Sequence, residues 1–199
     1  MKLGIFVGSF NPVHEGHIKV ANYLLEKSYV DKVLLLATPN YWDKQDLVEI
    51  NHRINMLRFY ENKEIIVDDI HNKNQYTYQV LRSLKKDYKN AELYLIIGAD
   101  NLSNLDKWKN IEEILINKVI VVNRNNLDIN KYLNKFPKEQ FIIISNFPNI
   151  NISSTEIRNG NYKYLNPKVK EYIEKYKLYR CNPYDNRPTA VFSKKNKTT

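Results

Sequence analysis

At 199 residues, 43% hydrophobic and 27% charged, the chain has a globular composition and the length of one ordinary domain with a real core. Its formal net charge of +9 suits a protein that handles phosphates or nucleic acid, and equally a plain basic surface. The single cysteine, Cys181, excludes an internal disulfide framework and a Cys-based zinc site, and no apolar run approaches membrane-spanning length, so a soluble cytoplasmic protein is expected.

Leu3–Val7 is a short apolar run ending at Gly8, which predicts a buried strand, and a Gly/Pro/Asn turn follows it. Ile18, Ala21, Leu24 and Leu25 then repeat at helical spacing. Val33–Ala37 predicts a second strand ending at Thr38-Pro39, residues 49–60 a helix, and Ile65–Val67 a short strand. Tyr76–Tyr88 reads as a helix through Val80, Leu81 and Leu84, and Leu93–Ile97 as a strand ending at Gly98. Residues 101–116 read as helix in two pieces. Val119–Val122 and Phe141–Ile144 are further strands, Ser153 opens a helix, and Lys168–Tyr176 is a short last one.

The strands are continuous apolar runs, so both faces of the sheet must be covered. Their alternation with helices predicts a single α/β domain over residues 1–179, a Rossmann-type doubly wound parallel sheet. Ligands in such sheets bind beyond the carboxyl ends of the strands, where strand order reverses. Residues 180–199 are polar, lack periodicity and contain five basic residues against one acid, Asp185, so a basic, poorly ordered tail is expected.

Two segments after strands could hold chemistry. The first is Gly8-Ser9-Phe10-Asn11-Pro12-Val13-His14-Glu15-Gly16-His17. It is not the Gly-x-Gly-x-x-Gly pattern of dinucleotide-binding dehydrogenases. Its Gly-Ser turn lets backbone N–H groups approach an anion, and its two histidines share one face of an opening helix turn. Either histidine alone is more simply a capping or surface residue; the pair after a first strand points to phosphate chemistry. The second is Ile152-Ser153-Ser154-Thr155-Glu156-Ile157-Arg158, where Ser153 or Ser154 is an N-cap and Arg158 follows one turn on. Hydroxyls, helix N–H groups and a guanidinium make a phosphate clamp, although an ordinary cap plus a surface arginine has the same appearance.

Together these segments resemble the nucleotidyltransferase superfamily with the His-x-Gly-His signature. More closely, the chain resembles the nicotinate (nicotinamide) mononucleotide adenylyltransferases. Residues 96–108, Ile-Ile-Gly-Ala-Asp-Asn-Leu-Ser-Asn-Leu-Asp-Lys-Trp, match that family's Gly-Ala-Asp…Leu-x-x-Trp segment, and residues 162–179 resemble its C-terminal ending. The match spans about residues 3–179.

The resemblance implies the nucleotidyltransferase fold and an enzyme of NAD biosynthesis that joins nicotinate mononucleotide to AMP from ATP, with Mg²⁺ on the ATP phosphates. Its implied catalytic residues are His14 and His17 on the phosphates, His17 at the reacting α-phosphoryl group, and Arg158. Gly8, Ser9, Phe10, Gly16, Gly98, Asp100, Ser153, Ser154 and Thr155 would bind ATP. On the mononucleotide side stand Lys44, Thr77, Trp108 (stacking on the pyridine) and Arg124. From the residues alone, Trp108 is equally a core tryptophan beside Leu105 and Ile111, Asp100 a helix cap, and Arg124 a loop charge. No carboxylate cluster suggests a protein-held metal, so ATP is expected to bring Mg²⁺ in.

Two departures fall on the mononucleotide side. The family's usual Pro-Pro-His-Lys loop reads Thr38-Pro39-Asn40-Tyr41-Trp42-Asp43-Lys44, and Tyr76-Thr77 continues as Tyr78-Gln79-Val80 instead of an acidic-Thr pair. Nicotinamide mononucleotide therefore stands as an alternative acceptor. Phosphopantetheine is another, although its adenylyltransferases usually have Thr at the position of His14. A non-catalytic nucleotide or RNA binder has only the basic tail in its favour. No membrane and no nucleic-acid partner are expected, and the sequence leaves homo-oligomerisation open.

Overall fold

The computed structural model describes residues 1–39, 47–124, 127–148 and 152–179. The basic tail expected at 180–199 lies outside them, as does Lys44. In chain order the elements are β1 (Lys2–Gly8), α1 (Glu15–Glu26), β2 (Lys32–Ala37), α2 (Ile50–Arg58) and β3 (Ile65–Asp68). Next come α3 (Thr77–Asp87), β4 (Glu92–Gly98), α4 (Ile111–Ile114), β5 (Lys118–Val122) and α5 (Asn130–Leu133). The last are β6 (Phe141–Ile144), α6 (Ser154–Arg158) and α7 (Pro167–Lys175). Short 3-10 segments lie at His71–Lys73, Ala99–Lys107 and Lys138–Gln140.

The six strands form one sheet in the order β3-β2-β1-β4-β5-β6, parallel at every pairing. This is the Rossmann order, and it reverses between β1 and β4. Registers Gly8↔Ala37 and Gly98↔Val122 put both glycines at the carboxyl edge. The continuous apolar runs divide as the two-residue period of a strand requires. Val33, Leu35 and Ala37 face a core with Ile18, Leu24, Met56, Leu57, Ile157 and Val169. Leu34 and Leu36 face the other core, with Val80, Leu84, Leu102 and Ile114. Two helical layers thus bury a sheet that has no polar face.

The residue 101–116 region is the expected two pieces, but the first is 3-10 helix. Asn110 separates the pieces in the left-handed region at φ 53°. Between β5 and β6 the sequence signalled no element. The crossover there is the single turn α5, anchored by buried Ile129 and Leu133, followed by a 3-10 turn. Two apolar anchors in a polar stretch fall below the periodicity that reveals longer helices. Among the described residues no helix is long and apolar enough to cross a membrane.

Candidate active site

The site begins where β1 ends. Beyond Gly8 the chain turns through Phe10, a non-glycine residue at φ 43°, and reaches His14 in extended conformation at the N-cap of α1. A left-handed residue other than glycine costs about 1–2 kcal/mol and persists only where its surroundings fix it. Here the Phe10 ring is buried, edge-on to Phe6 at 5.5 Å and to His17 at 5.0 Å between centroids. The expectation that Phe10 binds nucleotide is therefore narrowed to its backbone, because the ring turns into the core. Gly16 is required by close approach: a Cβ there would stand 2.9 Å from His14 Nδ1 and 3.0 Å from Ile152 Cγ2.

His14 and His17 stack with ring centroids 3.7 Å apart. His17 Nδ1 accepts the backbone N–H of His14 at 3.2 Å, which leaves the proton of a neutral His17 ring on Nε2. His14 Nδ1 is buried with no hydrogen-bond partner among the described residues. Such an orphan is uncommon outside functional sites.

Burial lowers the His14 pKa to about 4, helped by the positive charge of Arg124. Burial also holds His17 well below the usual histidine value, with His14 and Arg124 adding to the effect. Both rings are neutral at pH 7. A folded imidazole that resists protonation makes the unfolded chain the better proton binder below pH 6.5, so stability falls as pH drops through 6.5 and keeps falling to about 4. At pH 5 the loss from His14 alone should be roughly 2 kcal/mol. Thermal melts between pH 5 and 8 test this: the His14→Asn protein, which keeps a good N-cap, should show a flatter profile. Parallel profiles would mean that His14 titrates freely.

The second segment folds against the first. Ser153 is the N-cap of α6, accepting Glu156 N–H at 3.2 Å, and the Glu156 carboxylate accepts Ser153 N–H at 2.8 Å. The Ser153 hydroxyl is thus spent on a capping box. Ser154 Oγ donates to Pro12 O at 2.9 Å, which ties α6 to the β1–α1 loop. Arg158 donates to Asn11 O at 2.8 Å and to Thr155 Oγ1 at 3.0 Å. The sequence foresaw three hydroxyls in one clamp; the structure divides them between cap, strut and arginine support. Two of the five guanidinium donors of Arg158 are used in these bonds.

Across the switch point, Phe6, Gly8, His17, Gly98, Asp100 and Arg124 line one cavity of about 130 Å³. The Asp100 carboxylate touches the space beside the Gly98 Cα, so any larger residue at Gly98 would displace it. Gly98, not Asp100, is the N-cap of the following 3-10 segment. A hollow of about 840 Å³ lies between α2 and the turn after β3, lined by Ile54, Arg58, Asp69 and Asn72 among others. Pro39, from the loop after β2, also lines it, whereas His17, Gly98, Asp100 and Arg124 line the smaller cavity.

Thr77 opens α3 and Trp108 ends the 3-10 segment after β4, each part-exposed. Trp108 packs on the core below that segment. Neither lines the small cavity. Sequence reasoning overlooked Arg53, fully buried on α2, and Tyr179, whose hydroxyl reaches Asn11. Arg53 had a signal: a cation at helical spacing from Ile50 and Leu57, on the apolar face. Tyr179 had none.

Comparison with known proteins points to one family. A cytidylyltransferase-like family model matches residues 5–160. The probable nicotinate-nucleotide adenylyltransferase of Clostridium novyi (strain NT) is 36% identical, over 90% of this chain and 99% of that protein. That of Flavobacterium psychrophilum is 37% identical, over 90% of this chain and 100% of that protein. Among solved structures, the Plasmodium falciparum nicotinic acid mononucleotide adenylyltransferase complexed with NaAD superposes with a TM-score of 0.75 at 26% identity, covering 89% of this chain and 97% of that one. With the family model matching most of its length and these relatives matching nearly all of it, the chain belongs to the cytidylyltransferase-like family and, within it, to the nicotinate-nucleotide adenylyltransferases.

Proposed function

We propose that the protein joins the 5′-phosphate of nicotinate mononucleotide to the AMP part of ATP, giving deamido-NAD and pyrophosphate. The observation that supports this most is the convergence of two neutral histidines, Arg158 and the Gly98–Asp100 cavity at one switch point. The Plasmodium falciparum enzyme is complexed with NaAD in one structure and with APC in another, the latter at a TM-score of 0.72 and 27% identity.

ATP would lie across the β1–β4 edge, with adenosine toward Gly98 and Asp100 and the phosphates toward His14, His17, Thr155 and Arg158. The attacking group is the mononucleotide phosphate, whose second pKa near about 6 leaves it mostly dianionic at pH 7. No general base is needed. A phosphate oxygen forms a bond to the α-phosphorus as the bond from that phosphorus to the β-bridging oxygen breaks, and pyrophosphate leaves. His17 Nε2–H and Arg158 meet the charge that develops; alignment and charge stabilisation are the catalysis. Mg²⁺ would neutralise the triphosphate. Among the described residues no group of three or more His, Cys, Asp or Glu could hold a metal ion, and ATP would bring Mg²⁺ in.

Pyrophosphate release from ATP and Mg²⁺ with nicotinate mononucleotide, nicotinamide mononucleotide and phosphopantetheine in turn tests the reading. Nicotinate mononucleotide should give the highest kcat/KM, with the amide a measurable second. A site built around a carboxylate leaves donors unpaired against a carboxamide, at roughly 1–3 kcal/mol each. Preference for the amide would remove the nicotinate assignment but keep the chemistry. Turnover of phosphopantetheine alone would remove both pyridine substrates.

A further inference from the structure

Asn11 is a buried junction. Its carbonyl accepts Arg158 Nη1 at 2.8 Å, and its side-chain Oδ1 accepts both Val48 N–H at 3.2 Å and the Tyr179 hydroxyl at 2.8 Å. Arg53, fully buried, donates from Nη1 to Ser9 O at 2.7 Å and from Nε to Val48 O at 2.8 Å. The strained Phe10 therefore lies between two residues that are each held from outside the loop.

The C-terminal end of α7 is shaped to deliver Tyr179. Lys177 is left-handed at φ 54°; its N–H bonds Glu174 O, and Leu178 N–H bonds Ile173 O at 3.0 Å. This is a Schellman closure without the usual glycine, and it reverses the chain. Tyr179 is itself left-handed at φ 58°. Two costs of that kind within three residues, next to one polar contact on the phosphate loop, point to the contact as the purpose.

We propose that Arg53 and Tyr179 are positioning residues: together they fix the Ser9–Asn11 turn, and through Asn11 they aim the Arg158 guanidinium at the triphosphate. Neither need touch substrate. Arg53 sets the turn's entry through Ser9 O. Tyr179 sets its exit through the Asn11 side chain, whose backbone carbonyl is the support for Arg158. Val48, bonded to both Arg53 and Asn11, closes the frame. The role assigned to Arg158 rests on the adenylyl-transfer reading; the bracing of the turn does not.

The test uses the full chain. Tyr179→Phe keeps the ring and removes one hydrogen bond, so the melting temperature should stay within about 2 °C of wild type. An aimed guanidinium that loses one support should lower kcat/KM for ATP roughly five- to tenfold. In an Arg158→Lys background the same change should have almost no kinetic effect, because both act through Asn11. Arg53→Lys, whose single ammonium cannot take the place of both the Nε bond to Val48 O and the Nη1 bond to Ser9 O, should be intermediate. Hydrogen–deuterium exchange of the peptide spanning residues 8–14 should quicken in Tyr179→Phe. A kcat/KM at the wild-type value, or an equal loss in both backgrounds, would overturn the coupling through Arg158. Unchanged exchange would overturn the bracing of the turn. That readout needs no turnover, so an inactive wild-type protein would count against the reaction assigned here and leave the bracing to be decided by exchange.

Discussion

The His17→Ala protein should fold, bind ATP with nearly the wild-type KM, and turn over on the order of 100- to 1,000-fold more slowly. The direction follows from where the His17 proton is. Nδ1 is occupied by the His14 N–H, so Nε2 carries the hydrogen, and the ring edge lies on the cavity shared with Gly98, Asp100 and Arg124. Burial keeps the ring uncharged, so it contributes a fixed dipole and adds no net charge to attract ground-state ATP. A donor whose hydrogen bond strengthens as charge builds on the α-phosphoryl oxygens acts chiefly on kcat. Alanine also strands the N-cap N–H, so a loss of about 1 kcal/mol in stability is expected beside the kinetic one. Steady-state kinetics at varied ATP checks both parts. Most of the activity surviving would remove His17 from the reaction.

The sheet was legible because its strands are buried on both faces. Runs such as Val33–Ala37 have no polar alternation to mislead, and the helices between them show their apolar stripe. The histidines were legible because a cap position and a residue three along share a face whatever the tertiary structure. What the sequence could not show depends on distance in space. Ser153 and Ser154 are neighbours of the same residue type, yet one caps its own helix and the other reaches Pro12, more than a hundred residues away. The neutral state of His14 needs the burial of its ring and the nearness of Arg124. Arg53 was a readable anomaly on an apolar helix face. Tyr179 was not, because nothing local distinguishes a tyrosine that ends a helix from one that docks on a loop more than 160 residues earlier.

Arg158→Ala should produce the second large loss, and a different one. Its guanidinium is tied to Asn11 O and Thr155 Oγ1, which fixes its plane and leaves further N–H donors for the triphosphate. Hydrogen bonds to a charged partner are worth about 1.5–3 kcal/mol each, so losing a two-pronged contact should cost roughly 100-fold or more in kcat/KM for ATP. Unlike the α-phosphoryl charge assigned to His17 under the proposed reaction, the β- and γ-phosphate charge is present before the reaction starts. Most of the loss should therefore appear as a raised KM for ATP, with a smaller fall in kcat from the pyrophosphate that must be stabilised as it departs. Arg158→Lys should recover only part of this. A lysine restores the charge but not the planar fork, and it cannot hold Asn11 O and Thr155 while presenting donors to phosphate. The KM for the mononucleotide should hardly change in either variant. An unaltered KM for ATP in Arg158→Ala would place this arginine outside the triphosphate site and reduce its bonds to Asn11 and Thr155 to a structural tie.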